Sequence, residues 1–289
     1  MRTYNDIYLS TRNLLRQSGI DGFSLEAKLL VAAAAGKTVP QLLRDMNLYA
    51  SNRIEDTVTE FVARRMRGEP VAYITGSWEF YGLPMITNPD VLIPRMDTEK
   101  LVDTVKELFT GRKMDARILD LCCGSGCITC AIGHEMPATR LVAIDISANA
   151  LDVCRRNIAA TKLISRVICM QADALSSPPL GIGDFDMIVS NPPYFPAGRG
   201  AVSLNAERAA QRTESATVSE LCSASARYLK PGGQFFLVHR RERESDILAA
   251  LHSAHLTPVR RRDVFSAPGK LAPIFLMEAV KDAPVSAMR

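Results

Sequence analysis

The chain has 289 residues, 47% hydrophobic and 23% charged, with a formal net charge of +4. These are ordinary values for a globular protein with room for one large domain and a small one, and the mild positive excess allows an anionic partner without demanding one. No secretion signal, membrane span or secreted disulfide framework is expected: the first six residues are polar, the apolar run at 29–35 is short, and the seven cysteines are an odd number with four crowded at 122, 123, 127 and 130.

Residues 1–68 read as a small helical bundle. Leu9, Leu14 and Leu15 suggest one apolar face, and Ser24-Leu25-Glu26 opens like a capped helix. Residues 54–66 form an amphipathic pattern that ends in Arg64-Arg65-Met66-Arg67-Gly68, a basic last turn followed by a glycine stop. Such a bundle either grips a partner or covers the main domain, and the residues leave both open. Residues 69–92 read as a hairpin linker, because aromatic and β-branched residues alternate there with turn signals. Asp97 or Thr98 is expected to cap a helix that runs through Phe109.

From residue 93 to 289 a larger domain is expected. Apolar strands at 117–121, 141–145, 167–170, 186–189 and 234–238 alternate with helical stretches, and strands at 259–264 and 273–279 follow. That alternation predicts an α/β fold with a mostly parallel, doubly wound sheet.

Asn191-Pro192-Pro193-Tyr194 sits where the strand at 185–190 gives way to a loop. Two prolines stiffen the turn and push the preceding residue towards extended geometry. Carboxyl ends of parallel strands are where open α/β sheets place their chemistry. The Asn191 side-chain oxygen and the Pro192 carbonyl are two acceptors that suit a planar NH2 group, and Tyr194 adds a ring to stack on its carrier. The alternative is an ordinary turn built from Asn and Pro.

Asp120-Leu121-Cys122-Cys123-Gly124-Ser125-Gly126 follows the first strand of this domain and opens a helix. Its glycines permit close backbone approach to a ligand. It lacks the glycine spacing of a dinucleotide fingerprint. It resembles the D-x-G-x-G-x-G loop of class I S-adenosylmethionine methyltransferases, with Cys122 replacing the first glycine, a departure that looks mild because cysteine is small. The resemblance implies a Rossmann-like fold and S-adenosylmethionine as cofactor, bound by Asp120, Cys122, Cys123, Gly124, Ser125 and Gly126. Asp145 would accept the ribose hydroxyls, Asp173 and Ala174 would border the adenine, and Asn191 would close the pocket. Each acid could instead be a solvated or helix-capping residue at a strand end. The crowded cysteines lack the two paired C-x2-C units of a structural zinc site and read as packing residues; no metal is expected.

Three further stretches extend the resemblance: residues 68–76 (Gly-Glu-Pro-Val-Ala-Tyr-Ile-Thr-Gly), 79–83 (Glu-Phe-Tyr-Gly-Leu) and 93–99 (Ile-Pro-Arg-Met-Asp-Thr-Glu). With the loop and the Asn191 elbow, they resemble the peptide chain release factor glutamine methyltransferases (PrmC/HemK-like). That family pairs a helical substrate-recognition domain with a hairpin linker and a catalytic domain. The resemblance implies methylation of the side-chain nitrogen of the glutamine in the Gly-Gly-Gln loop of release factors; the cysteine usage fits a reducing cytoplasm, and a monomer is expected. Asn191, Pro192 and Tyr194 would be catalytic, and Pro193, Arg95 and Glu99 would join them in binding the substrate. Arg95 and Glu99 could equally form an ion pair that caps a helix.

The last third departs from the family pattern. Residues 195–202 (Phe-Pro-Ala-Gly-Arg-Gly-Ala-Val) and 237–243 (Leu-Val-His-Arg-Arg-Glu-Arg), with Pro268-Gly269-Lys270, are more similar to tRNA adenine-N6 methyltransferases, and Arg240-Arg241 and Arg260-Arg261-Arg262 offer phosphate contacts to RNA. Short charge runs are more often solvated faces. Adenine-N6 methylation of tRNA or another nucleic acid is therefore the second reading, and a non-catalytic binding module is the third. His239, His252 and His255 read as surface or packing residues, and Gly232-Gly233-Gln234 reads as a turn into a strand.

Overall fold

A computed structural model describes residues 1–109, 115–176, 182–193, 217–267 and 269–283. The chain forms two compact units, Met1–Trp78 and Glu79–Arg289.

The first unit is helical: α1 (Tyr4–Gln17), α2 (Phe23–Ala34), α3 (Val39–Arg44), α4 (Asn52–Met66) and α5 (Val71–Thr75). Thr3 with Asp6, and Thr38 with Gln41, form capping boxes that satisfy the first amides of α1 and α3. The buried face of α1 is Tyr4, Ile7, Tyr8, Thr11 and Leu15. Leu9 and Leu14, expected beside Leu15, are instead 36% and 46% exposed, because they fall off that stripe. The expected cap at Ser24 also moves: α2 starts from Gly22 in left-handed geometry, and Ser24 lies within its first turn beside the Tyr8 hydroxyl, 3.0 Å away.

Residues 71–75 correct the expectation of an extended linker from residue 69. They form α5, bracketed by Pro70 at its N-cap and Gly76 in left-handed geometry at its C-cap. Val71 and Ile74, three apart, share one helical face and bury in the helical core. Their β-branching suggested strand, but tertiary packing decides.

A two-stranded ribbon follows, β1 (Ser77–Phe80) and β2 (Leu83–Ile86), and then α6 (Met96–Phe109). Phe80 and Met85 are fully buried in the core of the second unit. That unit continues as β3 (Arg117–Leu121), α7 (Cys127–Glu135), β4 (Arg140–Asp145), α8 (Ala148–Ala160), β5 (Val167–Gln171), β6 (Phe185–Ser190), α9 (Val218–Tyr228), β7 (Leu229–Arg240), α10 (Glu244–Ser253), β8 (Leu256–Ala267) and β9 (Lys270–Lys281).

The seven-stranded sheet has the order β5-β4-β3-β6-β7-β9-β8. The first five strands in that order pair in parallel, while β9 runs antiparallel to both β7 and β8. Alternate residues face opposite layers, as the pleat requires. Ile118, Met187 and Phe236 pack with α6, α7 and α8, while Leu119, Ile188 and Phe235 pack with α9 and α10. The chain winds outward from β3 through β4 to β5, then returns to β6 on the other flank of β3. The order therefore reverses between β3 and β6, the place where open sheets of this kind bind ligands. Gly232-Gly233 forms a bulge: β6 advances from Phe185 to Met187 while β7 advances from Leu229 to Gln234.

Candidate active site

Two segments leave the sheet at this reversal point. Leu121 of β3 stands opposite Ser190 of β6. The buried Ser190 hydroxyl donates to the Leu121 carbonyl at 2.7 Å, which ties the two strand tips together. The next residues are Cys122, opening the glycine loop, and Asn191, opening the proline elbow. Neighbouring strands lie about 4.8 Å apart, so the loop and the elbow begin side by side.

The elbow presents Asn191 half-buried, Pro192 buried and Pro193 half-buried. The Asn191 Nδ2 group donates to Thr98 Oγ1 at 3.3 Å. Its Oδ1 is buried and has no hydrogen-bond partner among the described residues. A buried acceptor without a donor is unfavourable and rare. Tyr194, assigned to the same site from sequence, lies outside the described residues. Thr98 is only 2% exposed, and its role corrects the expectation of a helix cap. Helix α6 begins at Met96, which puts Asp97 and Thr98 inside its first turn.

The glycine loop is held by its own backbone. The Cys123 amide donates to the Ile144 carbonyl at 3.0 Å, and the Gly126 amide to the Cys123 carbonyl at 2.8 Å. Gly124 and Gly126 have φ of 53° and 73°. A Cβ at Gly126 would stand 2.5 Å from Cys154 Sγ, whereas one at Gly124 would meet nothing within 4 Å. Gly126 thus packs inward, while Gly124 borders open space. Cys122 has φ of 66°. The replacement is therefore not mild: the glycine of the loop pattern stands at a left-handed position, and cysteine is strained there.

The acids divide. Asp145, at the tip of β4, accepts from the Gly124 amide at 2.8 Å through Oδ2 and from the Ser147 amide at 2.9 Å through Oδ1. Each oxygen keeps a lone pair for a ligand hydroxyl. Asp120 is fully buried: Oδ2 accepts from the Thr129 amide at 3.1 Å and its hydroxyl at 2.6 Å, and Oδ1 is buried without a partner among the described residues. Burial raises its pKa to about 7, against the lowering effect of the Thr129 bonds. Asp120 braces the first turn of α7 behind the loop. Asp173 is exposed and accepts the Leu175 amide at 2.9 Å, with Ala174 half-buried beside it.

Sequence reasoning missed three residues here. Ile146, next to Asp145, is 63% exposed, an apolar side chain at the strand tips. Asn157, fully buried on α8, accepts the Ile86 amide at 2.7 Å and donates to the carbonyls of Ile86 and Ser125 at 3.1 and 2.9 Å. It clamps strand β2 to the glycine loop. Thr98 is the third. A polar residue three or four positions from apolar ones on a helix was the available signal for Asn157; nothing local signalled Thr98.

Arg95 and Glu99 are not brought together in an ion pair. Arg95 is exposed, and Glu99 accepts the Tyr81 amide at 2.7 Å, which braces the turn of the β1–β2 ribbon. The C-terminal arginines, expected to offer RNA contacts, lie on carboxylates instead. Arg241 pairs with Asp263 at 2.6 Å, Arg243 with Asp246 at 2.7 Å, Arg260 with Glu278 at 2.7 Å and Arg261 with Glu244 at 2.7 Å. Arg240 pairs with Glu242 at 3.0 Å, and Arg262 pairs with Glu107. Those charges are neutralised locally, so the phosphate contacts lose their basis. His239 is 1% exposed, and burial lowers its pKa to about 4, so the ring is neutral packing. His252 and His255 are exposed.

All seven cysteines are free thiols. Burial pushes Cys122, Cys127 and Cys130 up to about 12, so none of them is a ready nucleophile. Cys123, Cys154 and Cys169 form a sulfur cluster beneath the loop, with contacts of 4.0 and 3.5 Å. No helix among the described residues is long and apolar enough to cross a membrane.

Comparison with known proteins agrees with this geometry. The family model "Methyltransferase small domain" matches residues 96–261, and "PrmC N-terminal domain" matches residues 6–76. The chain is 33% identical to the release factor glutamine methyltransferase of Caulobacter vibrioides over 261 residues, covering 88% of this chain and 89% of that one. It is 33% identical to that of Burkholderia pseudomallei over 278 residues, covering 91% and 94%. A shorter match to the Koribacter versatilis enzyme reaches 45% over 135 residues, 47% of each chain. With both domains matched and the first two relatives aligned over nearly their whole length, the chain belongs to the release factor glutamine methyltransferases, S-adenosylmethionine-dependent enzymes of the class I methyltransferase fold.

Proposed function

We propose that this enzyme methylates the side-chain nitrogen of the glutamine in the Gly-Gly-Gln loop of peptide chain release factors. The observation that carries the proposal is the buried, unpartnered Oδ1 of Asn191, an acceptor in need of an N–H. Relatives named for that reaction support it. The arginines that offered RNA contacts for the adenine alternative are paired with carboxylates, while residues 195–202 and 268, part of its resemblance, lie outside the described residues. The Caulobacter and Burkholderia relatives are named for glutamine, not for a nucleic acid.

The residues present fit S-adenosylmethionine. Open space beside Gly124, and an Asp145 carboxylate with lone pairs to spare, suit a nucleoside held against backbone. Cys122, Cys123, Gly124, Ser125 and Gly126 would flank it, with Asp145 on the ribose and Ile146, Asp173 and Ala174 near the base. When bound, it supplies an electrophilic methyl group on a sulfonium.

An amide nitrogen is a poor nucleophile because its lone pair is delocalised into the carbonyl. The Asn191 Oδ1 and the Pro192 carbonyl would accept its two N–H groups and hold its lone pair towards the methyl donor, and one of those two protons is lost once the nitrogen carries the methyl group. Positioning of this kind supplies much of the barrier reduction, and oriented dipoles stabilise charge as it develops on nitrogen. Asp120 holds the loop through Thr129 and does not touch the substrate. Arg95 contacts the protein substrate, and Pro193 shapes the elbow. The helical unit recognises the release factor, and the enzyme works as a cytoplasmic monomer.

Incubation with methyl-labelled S-adenosylmethionine tests this. Label should enter a release factor and be absent from its Gln→Ala variant in the Gly-Gly-Gln loop. Label in unmodified tRNA instead would overturn the proposal.

A further inference from the structure

We infer that Thr98 is a positioning residue for the methyl transfer, acting through Asn191; the inference rests on the role proposed for Asn191 above. Thr98 and Asn191 are 93 positions apart and meet only in the folded chain, where Asn191 Nδ2 donates to Thr98 Oγ1 at 3.3 Å. A carboxamide has a donor end and an acceptor end of similar shape, and rotation about χ2 is soft. Occupying the donor end therefore sets the plane of the group and leaves the oxygen for a ligand. That is the arrangement observed: Nδ2 is engaged, and Oδ1 is buried and unpartnered.

The anchor itself is stiff. Thr98 is 2% exposed, and its amide donates to the Arg95 carbonyl at 2.9 Å. The next residue, Glu99, accepts the Tyr81 amide at 2.7 Å, so the first turn of α6 is held from the ribbon side as well. Burial of the side chain restricts the hydroxyl further. Without that hydroxyl the Asn191 amide rotates, and the substrate N–H meets a moving acceptor.

The test uses the full-length enzyme with a release factor and S-adenosylmethionine. Thr98→Val removes the hydroxyl at nearly constant volume. Its turnover should fall about tenfold, the size of one lost hydrogen bond, with S-adenosylmethionine affinity within about twofold of wild type. Thr98→Ser keeps the hydroxyl and should return turnover to within about threefold of wild type. On an Asn191→Ala background, Thr98→Val should lower turnover no further, because its effect passes through the missing amide. Equal losses in Thr98→Val and Thr98→Ser, or a full further loss on the Asn191→Ala background, would show a packing role and overturn the inference. Wild-type turnover in Thr98→Val with an inactive Asn191→Ala would also overturn it, leaving the role of Asn191 intact. Wild-type turnover in Asn191→Ala would overturn the parent proposal instead.

Discussion

The Ser190 hydroxyl donates to the Leu121 carbonyl at 2.7 Å, one residue before the elbow on one strand and one residue before the glycine loop on the other. The two halves of the site thus share a common floor. The loop and the elbow therefore start from strand ends that are tied together. Asn191→Ala removes the side-chain acceptor together with the Nδ2 donor to Thr98. Turnover should fall at least about a hundredfold, as for loss of an oriented dipole at a reacting centre, while S-adenosylmethionine binding stays nearly unchanged. Single-turnover kinetics and a cofactor titration check both halves of that expectation.

Asn157 reaches the loop from behind. Its amide serves two backbone groups of Ile86 and the carbonyl of Ser125. Asn157→Leu leaves all three without that partner in a buried setting. The loss of stability should be about 3 kcal/mol or more, from the cost of unpaired buried polar groups. Urea denaturation measures it. Cofactor affinity should also fall, since the loop loses its tie to α8 and β2; unchanged affinity would mean the loop holds its shape unaided.

Cys122 and Gly126 give opposite expectations within one loop. Cys122→Gly removes a left-handed strain of about 1–2 kcal/mol. Glycine's extra freedom in the unfolded chain takes back about 0.5–1 kcal/mol. A small rise in melting temperature is expected, with cofactor binding retained. Gly126→Ala places a Cβ 2.5 Å from Cys154 Sγ at a φ of 73°, so it should lower both stability and cofactor affinity. Calorimetry on the two variants separates strain from packing.

Asp120 makes stability depend on pH. Its pKa is raised from 3.8 to about 7 in the folded state, chiefly by burial. Between those values the folded chain binds more protons than the unfolded chain, so this contribution is present at low pH and is lost as pH rises through about 7. Asp120→Asn keeps an acceptor for Thr129 and removes the titration. The variant should gain stability relative to wild type on going from pH 5 to pH 8, with urea midpoints as the measure; parallel pH profiles would refute the assignment.

The elbow and the loop were legible in the sequence because their chemistry is local. Two prolines after an asparagine, and glycines after a strand, act through neighbouring backbone. The strand–helix alternation after residue 116 is local in the same sense, which is why the sheet was readable strand by strand. The segment 71–75 was misread because β-branched residues suit either a strand or a buried helical turn, and only packing in the helical core chose. The arginine runs misled for a similar reason. Glu107, Glu244 and Glu278, which neutralise Arg262, Arg261 and Arg260, stand 155, 17 and 18 positions away.

By itself, then, the amino-acid order determined which turns are stiff, which strand ends carry them and which chemistry they can serve. The tertiary structure alone decided that Asn191 engages Thr98 through Nδ2, that Asp120 braces α7 through Thr129, and that Cys122 is strained. The reason is physical. Turn geometry follows from bonded neighbours, whereas burial and the pairing of polar atoms depend on residues that meet only when the sheet closes.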